Sequence, residues 1–288
     1  MEQDNLESAE KSSLYYKALK RFFRNKISYV GLMIVFIVVF VAIFCPYLAP
    51  HNPKKQYWGE EWAPPSSKFI FGTDDLGRDV YSRVLWGART SLMVGGVSVT
   101  IIVILGTVVG SIAGYFGGVL DQVVMRITDI ILTMPTLILL LLISSVLRTR
   151  NLVIIMSVIG LLGWPSMARI VRSQYLSYKE LNFVEAAKTI GTSDIGIIFK
   201  HILPNAFSPI IVVATLRIAT SILTEASLSF LGFGDPTAIT WGLMLHRSHI
   251  AIRTAPWVAI VPGLAIFITV IGFNLLGDAL RDALDVRL

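Results

Sequence analysis

Six stretches of this chain are too long and too apolar to be helices of a water-soluble domain. They run over residues 30–48, 91–115, 127–147, 152–171, 207–231 and 258–276. A hydrocarbon core about 30 Å thick needs about 20 apolar residues in helical form. In lipid a helix satisfies its own backbone polar groups. The chain therefore reads as an all-α membrane protein with about six transmembrane helices. Composition supports this: 54% of the 288 residues are hydrophobic and 15% charged, against about 45–50% and about 25% in soluble domains. The fourth stretch is the weakest, because Gly160, Gly163 and Pro165 interrupt it.

The net charge is +6. In a membrane protein such an excess fits basic cytoplasmic segments, and no Lys/Arg block with interleaved aromatics suggests a nucleic-acid surface. The polar tail carries Lys11, Lys17, Lys20, Arg21, Arg24 and Lys26, and the segment between the fourth and fifth spans carries Arg169, Arg172, Lys179, Lys188 and Lys200. Both are expected in the cytoplasm, with the C-terminus. The segment 49–90 is then external, although its six Lys and Arg weaken the bias. Tyr15, Leu19, Phe22 and Phe23 recur at helical spacing among cations, as in an amphipathic helix on the inner membrane face. The organisation expected is a cytoplasmic tail (1–29), a first span with its external loop (30–90), and a five-helix core (91–288).

One cysteine, Cys45, excludes an intrachain disulfide. The bulky Phe44 before it argues against a lipidated N-terminal cysteine. His246 and His249 lie three apart in an external loop, too few for a metal site. There is no phosphate-binding G-x-x-x-x-G-K-[ST] loop, and no serine pairs with an evident base. An enzyme is not expected, and any uphill work must draw on a gradient or a partner. Gly106, Gly110 and Gly114 form a smooth stripe on the second span, where another helix can approach closely.

The segment 177–204 is the most informative. Leu181, Val184, Ala187 and Ile190 suggest a short helix with one apolar face, stopped by Gly191. Thr192, Ser193 and Asp194 offer an N-cap for a second helix with Ile195, Ile198, Phe199 and Ile202 on one face, ending at Leu203-Pro204. Such a protrusion can dock in a partner's groove or lie on its own bundle, and the pattern does not choose.

Glu185-Ala186-Ala187, then Gly191, then Leu203-Pro204 resembles the "EAA" loop of permease subunits of ATP-binding-cassette importers. His201 stands where that pattern has Ile. Three further stretches resemble the oligopeptide- and dipeptide-type permeases. They are Phe71-Gly-Thr-Asp-Asp-Leu-Gly-Arg-Asp-Val-Tyr-Ser-Arg83 with Gly87-Ala-Arg-Thr-Ser-Leu92, Glu225-Ala-Ser-Leu-Ser-Phe-Leu-Gly-Phe-Gly234, and Gly277-Asp-Ala-Leu-Arg-Asp-Ala-Leu-Asp-Val-Arg287, with Val286 where proline is usual. The resemblance implies a type I importer bundle in a bacterial or archaeal cell membrane. It implies a second homologous permease, two ATPase subunits that use ATP and Mg, and an extracellular solute-binding protein. This chain itself would bind no cofactor. Glu185, Ala186, Ala187, Gly191, Leu203 and Pro204 would lie at or near the ATPase contact. Peptides are the expected solute. Nickel chelates or oligosaccharides are the alternatives within the family, and a gradient-driven transporter or a membrane scaffold the alternatives outside it.

Three charges fall inside the spans: Asp129, Arg217 and Glu225. A charge in hydrocarbon is costly, so each lines a water-filled path or pairs within the bundle. Arg217 and Glu225 are two turns apart on one helix, too far for a direct pair.

Overall fold

A computed structural model describes residues 20–148 and 150–284. Nine helices carry the described architecture. They are α1 (Lys26–Leu48), α2 (Val80–Phe116), α3 (Gly118–Thr133), α4 (Thr136–Leu147), α5 (Leu152–Tyr178), α6 (Asn182–Thr189), α7 (Asp194–Phe230), α8 (Trp241–Ser248) and α9 (Trp257–Leu284). Five are long and apolar enough to cross a membrane, and the bent pair α3–α4 makes a sixth crossing if counted as one. Among the described residues there is no strand, only an isolated bridge between Thr73 and Asp79. Tyr15, Lys17 and Leu19 of the expected amphipathic helix lie outside the described residues, as do Val286 and Arg287.

Side chains set the helix starts. Asn25 caps α1 by accepting from the Ile27 N–H (3.0 Å), Asp79 caps α2 by accepting from Ser82 N–H (2.9 Å), and Asn151 caps α5 by accepting from Val153 N–H (2.8 Å). Each satisfies a backbone donor that has no partner inside its helix.

The third apolar run is not one straight span. It breaks between Thr133 and Thr136 with an 88° bend. Met134 takes an extended backbone (φ −89°, ψ 134°) ahead of Pro135, as a residue before proline prefers. The fourth run, interrupted in sequence, forms one unbroken helix, α5. The two prolines differ in their surroundings: Pro165 is buried and Pro135 exposed. Gly160 and Gly163 do not interrupt α5 either. They admit the side chains of Ile101 and Ile102 from α2.

The helices α2 and α5 form the most extensive packing in the molecule. The stripe of Gly106, Gly110 and Gly114 lies against Met167, Ala168, Val171, Arg172 and Tyr175 of α5. A Cβ on any of them would come within 2.7 Å of a heavy atom there. At the other side, Gly31 of α1 abuts Leu275 and Leu276 of α9, and Gly272 abuts Ile34.

These contacts define two ends. The near face holds the start of α1, the end of α9 and the segment joining α5 to α7. The far face gathers residues 49–79, 150–151 and 231–256. There Leu152 N–H donates to Asp235, Trp241 Nε1 to Val84 O, and Trp257 Nε1 to Thr73 O. Cys45 is fully buried, with its thiol against Ala42 O.

Candidate coupling loop and membrane-embedded charges

The near-face protrusion is built from α6, a left-handed elbow and the first turns of α7. Helix α6 ends in a Schellman arrangement: Thr192 N–H donates to Ala187 O and Gly191 N–H to Lys188 O, each at 3.0 Å. Gly191 has φ +80° with nothing within 4 Å of its missing Cβ. The backbone angle, not crowding, demands glycine there. Ser193 then caps α7 by accepting from Gly196 N–H.

The apolar residues divide differently from the sequence expectation. Val184 and Ala187 are buried, but Leu181 is 44% and Ile190 80% exposed. Steps of three residues drift by about 60° each on a 3.6-residue helix, so Ile190 ends on the side opposite Leu181. In the second helix Ile197, Ile198 and Ile202 are buried, while Ile195 and Phe199 are exposed. Residues Ile197–Ile202 form π-helical turns, and Leu203 N–H donates to Ile198 O. This winding puts Ile197 above Ile202 at a spacing of five. Leu203-Pro204 does not end the helix, as the sequence suggested. The widened turn precedes Pro204, Asn205 Nδ2 donates to His201 O (2.7 Å), and α7 continues to Phe230.

Two tyrosines that the sequence reading did not single out bind the protrusion to the bundle. Tyr175, fully buried on α5, donates to Ile198 O (3.0 Å). Tyr115, at the end of α2, donates to Asp194 Oδ1 (2.5 Å), with Lys188 Nζ 5.8 Å from its ring centre. Val184, Ala187, Ile197, Ile198 and Ile202 share a core with Val171, Tyr175 and Ala206. Glu185, Ala186 and Gly191 face outward, Ala187 inward, and Pro204 is exposed.

Each of the three intramembrane charges has a side-chain partner. Asp129 on α3 pairs with Arg169 on α5, and one turn along α5 Arg172 pairs with Asp121. Arg217 on α7 donates to the hydroxyl of Ser166 on α5. Glu225 is 1% exposed and accepts from Ser229 Oγ (2.6 Å). Arg217 and Glu225 do not meet. Ser166, Arg169 and Arg172 thus make a polar stripe on α5, visible in the sequence as an i, i+3, i+6 series.

The far-face loop owes its shape to its charges. Asp74 accepts from Arg78 Nε (2.8 Å) and from the N–H groups of Leu76 and Arg78, and lies 3.3 Å from Arg83 Nε. Asp75 pairs with Arg78 (3.1 Å) and reaches Arg247 of α8 (3.4 Å). Arg83 also donates to Pro53 O. Gly77 (φ +65°) turns the chain where Tyr57 O leaves no room for a side chain. His246 and His249 lie ring to ring at 5.5 Å, with no group of three or more metal-capable side chains among the described residues.

Comparison with known proteins accords with this architecture. Residues 106–288 match the family of binding-protein-dependent transport system inner membrane components, and residues 13–65 match the N-terminal transmembrane domain of oligopeptide transport permease C. The chain is 42% identical to the dipeptide transport system permease protein of Alkalihalophilus pseudofirmus, over 96% of this chain and 91% of that one. It is 40% identical to the oligopeptide transport system permease protein of Bacillus subtilis, over 98% and 92%. It is 39% identical to the glutathione transport system permease protein of Pectobacterium atrosepticum, over 93% and 90%. With a family match over most of its length and near-complete alignment to these permeases, the chain belongs to the binding-protein-dependent transport system inner membrane components, as a multi-pass permease subunit of the oligopeptide and dipeptide type.

Proposed function

We propose that this subunit forms half of a translocation path for short peptides and converts ATP-driven motion of partner subunits into opening of that path. The observation that carries the reading is the near-face protrusion. Its inner side is fused to the bundle through Tyr115, Tyr175 and a shared aliphatic core, while Phe183, Ile190, Ile195 and Phe199 are left exposed beside Glu185. An element rigid on one side and uncovered on the other suits docking and force transmission. The names of the relatives, for dipeptides, oligopeptides and glutathione, support a peptide as solute.

The arrangement proposed is a heterodimer with a second homologous permease, near face and both termini in the cytoplasm. Two ATPase subunits there hold ATP and Mg, and a solute-binding protein delivers solute to the far face. Closure of the ATPase pair pushes on the loop around Glu185, Ala186, Ala187 and Gly191. The α2–α5 pair is close-packed through its glycines, so it moves as one body and opens the path outward. Leu203 and Pro204 sit where the π-helical turns give way to the regular span, and carry the motion into α7.

The test is transport by the complete transporter in reconstituted vesicles. Gly191→Pro removes the N–H that closes α6 and cannot adopt φ +80°. A tryptophan at exposed Ala186 obstructs the outer side. Both variants are expected to keep ATP hydrolysis while uptake falls by an order of magnitude or more. Normal uptake by both variants would sink the coupling role. Solute movement by the purified subunit alone would replace it with a gradient-driven mechanism.

A further inference from the structure

Resting on the peptide reading above, we infer that Arg217 and the hydroxyls of Thr220, Thr224 and Ser227 on α7 form a pass-through binding site, in which Arg217 takes the C-terminal carboxylate of the peptide.

Arg217 lies thirteen residues before the end of α7, about 20 Å at 1.5 Å per residue, and is therefore deep in the span. A guanidinium has five N–H donors, and the contact identified for this one is to Ser166 Oγ. Among the described residues no carboxylate lies within ion-pair distance of it. The contrast with its neighbours is sharp. Along the α5 stripe, Arg169 has Asp129 and Arg172 has Asp121, but Ser166 brings Arg217 only a hydroxyl. The nearest carboxyl on its own helix, Glu225, is turned to Ser229. A cation left without a counter-ion at membrane depth is costly unless water or an anion reaches it.

The same side of α7 provides the surroundings for such an anion. At about 100° per residue, Arg217, Thr220, Thr224 and Ser227 fall within about 80° of one another. Thr220 and Ser227 are exposed, and Arg217 and Thr224 half-buried. Each hydroxyl donates to its own helix: Thr220 to Arg217 O (3.0 Å), Thr224 to Thr220 O (2.7 Å) and Ser227 to Leu223 O (2.8 Å). That spends the donor and leaves the oxygen as acceptor, the complement of a peptide N–H. The stripe runs from Arg217 toward the far face and enters a groove of about 500 Å³ between Leu137, Leu223, Ser227, Phe230, Leu245 and Gly263. The wall of that groove at Leu137 is one residue beyond the start of α4, beside the break in the third span. Non-helical backbone at membrane depth is tolerated beside protein or water, not lipid, so the exposed elbow is expected beside an aqueous path or the second subunit.

Such a site reads the backbone and the terminus, which all linear peptides share, and leaves the side chains unread. A carboxylate on Arg217 would fix the direction of the chain, C-terminus toward the middle of the membrane and N–H groups along the hydroxyls.

The experiment compares one peptide with a free C-terminus and the same peptide as its C-terminal amide. Both are delivered by a saturating binding protein to the complete transporter in vesicles. The rate of each variant is divided by the wild-type rate for the same peptide, which cancels any selection by the binding protein. Arg217→Gln is expected to slow the free-carboxylate peptide about tenfold, the worth of one charge-assisted contact, with the amide changed less than about twofold. Arg217→Lys is expected to restore most of the loss. Equal slowing of both peptides would assign Arg217 to structure or to a carboxylate of the second permease, and no slowing of either would take it off the path. Each of these outcomes overturns the site. Failure of wild type to move either peptide would instead remove the peptide reading and the site with it. Thr220→Cys in a Cys45→Ala background gives an independent check. Labelling by a water-soluble thiol reagent, reduced by peptide, is expected, and its absence overturns the proposal even if Arg217 variants do not assemble.

Discussion

On the far face, Asp74, Arg78 and Arg83 are 3%, 8% and 3% exposed, each bonded to the others or to the backbone. On the near face, Ile190 and Ile195 are 80% and 70% exposed. The unusual placements differ: the loop around Asp74 buries charges and the near-face protrusion uncovers aliphatics, as the far-face segment after α8 also does at Ile250 and Ile252. The loop around Asp74 pairs its charges within itself and with Arg247 of α8, and leaves Asp79 Oδ1 buried without a hydrogen-bond partner. The near-face protrusion packs only its inner side, and its outer side is left uncovered in this chain. Sequence alone reads the near-face segment as two short amphipathic helices and the far-face segment as an external loop with six Lys and Arg. The difference appears only when partners are counted atom by atom.

The sharpest way to break this comparison is to open the far face. Asp74→Ala leaves Arg78 and Arg83 buried without the carboxylate between them. Removing one member of a buried ion cluster costs about 3–5 kcal/mol, the largest effect expected from any single change here. The complex in detergent is expected to unfold at a markedly lower temperature. A melting temperature equal to wild type would mean that the loop is held by something other than its charges.

A smaller effect is expected where the near face joins the bundle. Tyr175→Phe keeps the ring and removes the bond to Ile198 O, at about 1 kcal/mol for a buried hydrogen bond. The comparison predicts that this modest loss of stability is accompanied by a larger loss of coupling, because the bond holds the protrusion rigid. The measurement is ATP hydrolysed per peptide taken up. An unchanged ratio would separate rigidity at Tyr175 from coupling.

Much of this was legible in the sequence, for identifiable reasons. Apolar run length places the spans because lipid enforces it. Gly191 was marked as an elbow because its φ admits little else, and the glycine stripe because close helix approach requires small residues. What escaped depends on tertiary partners. Pro135 breaks its helix, whereas Pro165, Pro46 and Pro204 lie in helices that continue, so the residue type alone does not say where a span breaks. The inner side of the protrusion was misjudged because three-residue steps drift around a helix and because π-helical turns have no sequence mark as clear as a glycine. Arg78 and Arg83 were counted as loop cations, whereas Asp74 and Asp75, adjacent in the same motif, neutralise them. The loneliness of Arg217 is a fact about three helices and is invisible in one.

The finest test concerns the tie between the far-face segment after α7 and the start of α5. Asp235 accepts from Leu152 N–H (3.0 Å) through one oxygen, and from the Thr237 N–H (2.8 Å) and hydroxyl (2.6 Å) through the other. Burial pushes its pKa up, but these donors outweigh burial and hold the carboxyl below its usual range. A depressed folded-state value means that the stabilisation is present above the unfolded value, about pH 4, and is lost as pH falls through the folded one. Asp235→Asn keeps an acceptor but removes the charge, so it is expected to cost about 0.5 kcal/mol near neutrality, the low end for a helix cap. The difference in melting temperature between wild type and variant is then expected to shrink below about pH 4, as the wild-type carboxylate is protonated. A gap that stays constant with pH would show that the charge on Asp235 contributes nothing. The arginine cluster around Asp74 would then hold the far face without it, and the charge pairing at that end would narrow to a single loop.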